Sequence, residues 1–63
     1  MNKFKKLILE KDMHYSDISK LTGISERSII RYANGHTLPK YENAIKIWKI
    51  FSNENVNFLD FFG

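Results

Sequence analysis

YSDISKLTGISERSIIRYAN, Tyr15 to Asn34, decides how this chain folds. Ile18 and Leu21 lie three apart and share one face of a helix. Gly23 follows, and a glycine can take the left-handed geometry that stops a helix without a Cβ clash. Ser25 restarts the chain as an N-cap whose hydroxyl can accept the amide of Ser28. Ile24 before the cap and Ile29 after it match a hydrophobic staple, which fixes the angle of entry into the second helix. The spacing therefore predicts two short helices, about 15–22 and 26–34, at a steep mutual angle.

Two such helices joined by a glycine-containing turn fit the description of a DNA-binding helix-turn-helix. In that arrangement the second helix aims its N-terminal side chains at a major groove. Ile29, Tyr32 and Ala33 can face inward, which leaves Glu26, Arg27, Ile30 and Arg31 outside. Any amphipathic surface helix also carries charge outside, so position carries the argument: these residues occupy the turns that follow a capped start. Asn34-Gly35 ends the helix, with Gly35 suited to the left-handed position.

On the N-terminal side, Phe4, Leu7 and Ile8 set a helix over about 2–12, with Met13 extending its apolar contact. Lys3, Lys5, Lys6 and Lys11 line the rest. They read either as a solvated face or as phosphate contacts. His14 stands at the cap position of the next helix, and Asp17 suits its positive end. Ser19 is small enough for close approach of the following helix.

On the C-terminal side, HTLPK (36–40) is a loop in which Pro39 biases Leu38 to extended geometry. A helix over about 41–52 follows. Its stripe is Tyr41, Ala44, Ile45, Trp48 and Phe51, widened by Ile47 and Ile50. NENVN (53–57) is a polar turn. FLDFF predicts a last short helix over 58–62, with Asn57 as cap. Phe58 or Leu59 is expected inward, and Phe61 and Phe62 partly toward a partner.

Bulk properties bound the rest. At 63 residues the chain is read as one domain, 1–63. A chain of this size buries only about 60% of its unfolded surface. Met1 and the closing helical segment lead us to expect an intact unit. Five Phe, three Tyr and one Trp supply a core. The net charge of +3 and pI near 9.3 are compatible with a phosphate-bearing partner without requiring one. With no cysteine there is no disulfide or thiolate metal site. No apolar run reaches the length of a membrane span, and MNKFKKLILEKD lacks a signal-peptide core. Cytoplasmic residence in a bacterial host cell is expected. Two separate histidines, no Gly-rich phosphate loop and no paired carboxylates leave nothing from which to assemble a catalytic site, a metal site or a cofactor site.

Taken in order, Ile18, Leu21, Gly23, Ile24, Ser25, Ile29, Asn34-Gly35, Pro39 and LPKYENAIKIWKIF resemble the phage Cro and repressor type of helix-turn-helix domain, the XRE family. The resemblance runs from about Leu7 to Phe61. It implies an all-α, compact, five-helix lambda-repressor-like fold that binds operator DNA as a two-fold dimer. It further implies base reading by Glu26, Arg27 and Arg31; Ile30 beside them can either touch a thymine methyl or sit at the core edge. Backbone contacts would come from Tyr15, Ser25, Ser28, Asn34, Lys20 and Lys40, with Lys3, Lys6 and Lys46 as further candidates.

The chain departs from the family at several positions. Tyr15 stands where Gln is frequent, His14 where Ser or Asn is, Ala33 where an acid is, and Trp48 where a small residue is. Glu26 can accept from cytosine N4 or pair with Arg27 or Arg31. A weak homodimer through Trp48, Phe58, Phe61 and Phe62 is expected. The implied function is a transcription regulator, most simply a phage or mobile-element repressor. The competing reading is a protein-interaction module on the same fold, an antitoxin or anti-repressor target gripping its partner through the aromatic tail.

Overall fold

The computed structural model describes residues 2–63; Met1, the first residue of the expected domain, lies outside them. Four α-helices follow one another: α1 (Lys3–Glu10), α2 (Tyr15–Thr22), α3 (Glu26–Ala33) and α4 (Tyr41–Ile50). Two 3₁₀ turns close the chain, Ser52–Glu54 and Phe58–Asp60. No strand occurs among the described residues.

Helix α1 begins one residue later than expected because Asn2 caps it. Its Oδ1 accepts the Lys5 amide at 2.8 Å. It also ends sooner, at Glu10. The Met13 amide donates back to Ile8 O at 3.0 Å, and Asp12 takes φ +53 to allow it. That is a Schellman closure with an aspartate at the left-handed position.

The expected fifth helix is instead the single 3₁₀ turn Phe58–Asp60. Asn57 caps it by accepting the Leu59 amide at 2.9 Å. The next bonds run three residues back, Asp60 to Asn57 and Phe61 to Phe58. Phe61 then drops into the core, and a continued α-helix would carry it elsewhere.

That core joins Phe4, Leu7 and Ile8 of α1, Ile18 of α2, Ile24 of the turn, Ile29, Tyr32 and Ala33 of α3, and Ile47, Phe51 and Phe61. Phe4 is its centre. Its ring lies 5.9 Å from Phe51, 5.5 Å from Phe61 and 5.4 Å from Phe62. Burying each such ring contributes roughly 1.5–3 kcal/mol, a large share for so short a chain.

Three expectations about facing are corrected. Leu21 is 68% exposed while Ile18 is fully buried. Helix α2 packs on α3 and α4, and Leu21 lies at the rim of that packing, lining an open depression with Lys46, Lys49 and Ile50 of α4. On α4 the buried line is Ala44, Ile47 and Phe51, with Trp48 and Ile45 half-buried and Tyr41 exposed. Ile47, read as an edge residue, is the centre. At the tail the order inverts: Phe61 is 0% exposed and Leu59 82% exposed.

Candidate nucleic-acid interface

The geometry of α3 is set by the turn before it. Gly23 takes φ +78, and its amide donates to Ser19 O at 2.8 Å. The Ser19 hydroxyl donates across the turn to Ile24 O at 2.6 Å. The Thr22 hydroxyl donates to Ile18 O and accepts the Ile24 amide. Every polar group named here has a partner, so the turn holds one shape.

Ser25 then caps α3. Its Oγ accepts the Ser28 amide at 3.2 Å and donates to Ser28 Oγ at 2.9 Å. Ile24 and Ile29 are both buried on either side of the cap, as a staple requires. Tyr32 and Ala33 continue the inward face. Tyr32 is held further by Asn2, whose amide donates to Tyr32 O at 3.0 Å, and by Asn43, which donates to its hydroxyl at 3.2 Å.

What remains outside on α3 is Glu26, Arg27 and Arg31, all exposed, with Ile30 and Ser28 half-buried. Of the two roles open to Glu26, the ion pair with Arg27 or Arg31 is not formed. The ion pair found among the described residues is Lys11–Glu54 at 2.6 Å. The two arginines, four residues apart on the exposed face of α3, are therefore in no ion pair. The Arg31 Nη2 donates to the Thr37 hydroxyl at 3.0 Å.

Helix α3 ends in a second Schellman closure. The His36 amide donates to Arg31 O at 3.0 Å, and the Gly35 amide to Tyr32 O at 3.2 Å, with Gly35 at φ +75. Exposed Asn34 accepts from Lys5 Nζ at 2.6 Å. This brings the first turn of α1 to the end of α3. Asn2, Lys5, Asn34, Gly35 and Gly63 line one polar depression there. Thr37 stood outside the candidates drawn from sequence, and Lys5 was one of four lysines in and beside α1 that the sequence could not rank. Their placement depends on how α1 and the loop fold back onto α3, and no local pattern encodes that.

The remaining candidates are more dispersed. Lys20 and Lys40 are exposed, the latter at the N-cap of α4. Tyr15 is half-buried and packs on the core. His14 caps α2 with its backbone only and makes no side-chain cap bond. Lys3 and Lys6 share a depression with Glu10 and Glu54, and Lys46 shares one with Glu42 and Lys49.

Of the residues expected at a dimer contact, Phe61 has no exposed surface to offer. Trp48 is half-buried, and its indole N–H donates to Val56 O at 3.2 Å. Phe58 is also half-buried, edge-on to Trp48 at 5.7 Å and to Tyr41 at 5.9 Å. Phe62 is half-buried against Phe4 and Tyr32. Leu38, Pro39, Tyr41, Phe58, Leu59 and Phe62 line an apolar groove free of charged side chains.

Among the described residues no group of His, Asp or Glu is gathered to hold a metal ion. No helix among the described residues is long and apolar enough to cross a membrane. The family model described as helix-turn-helix matches residues 4–52. That span takes in α1 to α4 and stops short of the last 3₁₀ turn. No curated protein and no solved structure matches the chain.

Proposed function

Because the chain belongs to the XRE-type helix-turn-helix DNA-binding family, we propose that it is a sequence-specific regulator of transcription. It inserts α3 into the major groove of double-stranded DNA. The observation that carries this is the exposed face of α3, where Arg27 and Arg31 stand in solvent without an ion pair behind a capped and stapled start. Arg meets guanine N7 and O6 in bidentate fashion, and Glu26 accepts from cytosine N4. Ile30 contacts a thymine methyl at the edge of the core. Ser25, Ser28, Asn34, Tyr15, Lys20 and Lys40 serve the phosphates, joined by Lys5, which Asn34 draws to the same edge.

The regulator acts as a weak homodimer on an inverted repeat, as a phage or mobile-element repressor that occludes a promoter. The Cα extents are 25 × 23 × 19 Å, and half-sites recur about 34 Å apart. In this reading two copies bound one turn apart meet. The surface for that meeting is the uncharged groove of Leu38, Tyr41, Phe58, Leu59 and Phe62. Two chains of net charge +3 abut there without placing like charges in contact. Phe61, being buried, has no part in that contact.

Selection of bound duplexes from a random pool, followed by a salt-titrated gel shift, tests the proposal. The expected result is an inverted repeat whose affinity falls linearly with log salt. A second reading is favoured by the same groove: a protein-interaction module whose partner fills it, with DNA contact secondary. Salt-insensitive or absent duplex binding selects that reading.

A further inference from the structure

Arg31 sits in the last turn of α3, where an arginine on a bare helix would sweep through many rotamers. Here it is held. The Schellman closure at Gly35 turns the chain back along α3, so that His36 takes the Arg31 carbonyl at 3.0 Å. The next residue, Thr37, takes the guanidinium at 3.0 Å. One loop therefore grips both the backbone and the side chain of a single arginine. The chemistry of the grip matters. A carboxylate in this place would cancel the charge and occupy the fork. A neutral hydroxyl accepts one N–H and leaves the rest of the guanidinium, which carries five N–H donors, for a bidentate edge.

On the reading of α3 as the base-reading helix, we infer that Thr37 is a positioning residue for sequence discrimination. Its hydroxyl oxygen fixes the direction from which Arg31 meets a base edge. The O–H proton is not spent on Arg31, and it donates to a phosphate oxygen of the same half-site. Thr37 thus joins the contact that reads a base to the contact that registers the backbone. Freezing the arginine before binding removes part of the ordering cost that weakens contacts made by long side chains.

The test compares the unsubstituted chain with Thr37→Val, Thr37→Ser and Arg31→Ala, and with Thr37→Val in the Arg31→Ala background. Discrimination at each base pair of the selected duplex is measured, and melting curves confirm that every variant is folded. Val keeps the shape and removes the hydroxyl. We expect Thr37→Val to reduce discrimination about three- to tenfold at the base pair that Arg31→Ala relaxes, in line with the net worth of one hydrogen bond. Ser should restore it. In the Arg31→Ala background the Val change should leave base preference untouched.

Uniform weakening on all duplexes, with discrimination intact, overturns the inference and makes Thr37 a phosphate contact only. An equal loss of discrimination in the Arg31→Ala background overturns it as well. If the unsubstituted chain binds no duplex, the DNA-binding function itself fails, and this role with it. That outcome is distinct from a Val variant that binds with full preference.

Discussion

The amide of Phe4 donates to the carbonyl of Phe61 at 3.1 Å, while their rings pack 5.5 Å apart. The start of α1 and the end of the chain are thereby one unit. Replacing Phe61 with Ala removes the ring and leaves a cavity beside Phe4 and Phe51. The expected cost is about 3–5 kcal/mol. A domain of this size has only about 3–9 kcal/mol in all. Phe61→Ala should therefore lower the urea midpoint sharply or unfold the chain, whereas Leu59→Ala, on the exposed side of the same turn, should change stability by less than about 0.5 kcal/mol. Circular dichroism in urea reads both.

Arg27→Ala and Arg31→Ala should each relax preference at one base pair, by about 1–3 kcal/mol, with the melting temperature unchanged because both side chains are exposed. Lys5→Ala should act otherwise, weakening all duplexes alike and lowering the salt slope by about one. Quantitative gel shifts on the selected duplex and its single mismatches separate the two kinds of contact.

Asp12 holds φ +53 with a side chain that L-residues rarely carry there. Asp12→Gly should stabilise the fold by about 1 kcal/mol through relief of that conformation. Gly23 is the reverse case. It sits at φ +78, and nothing lies within 4 Å of the place a Cβ would take. Gly23→Ala should therefore cost about 1 kcal/mol for its dihedral alone. Thermal melts of the two variants should move in opposite directions.

Leu59→Glu places a charge in the uncharged groove without touching the core, since Leu59 is exposed. The expected outcome is an unchanged melting temperature and loss of self-association by sedimentation. Half-site binding should survive, and cooperative occupancy of the inverted repeat should not.

The turn from Ile18 to Ile29 was legible in the sequence because each of its determinants is local. Gly23, Ser25, Ile24 and Ile29 act on neighbours within four or five residues. The left-handed ending at Gly35 was legible for the same reason. The register of α4 was not, because apolar residues at 44, 45, 47, 48, 50 and 51 cover more than half of the helix surface. Periodicity cannot choose among them, and only packing against the other helices selects Ile47. The tail failed similarly. In FLDFF every spacing offers an aromatic to the core, and a 3₁₀ turn of three residues presents a different one from an α-helix. At the interface, Glu26, Arg27 and Arg31 could be proposed from their offset after the cap. Thr37 could not, and Lys5 could not be singled out from the other α1 lysines, because each reaches the end of α3 from a separate element.

Trp48 is the chain's one tryptophan, and its ring N–H is tied to Val56 O with Phe58 against its edge. The fold thus holds its one tryptophan against the closing segment, and α3 carries none. Emission from this indole reports, without any label, on the seating of that segment and on contacts made at the neighbouring groove through Phe58.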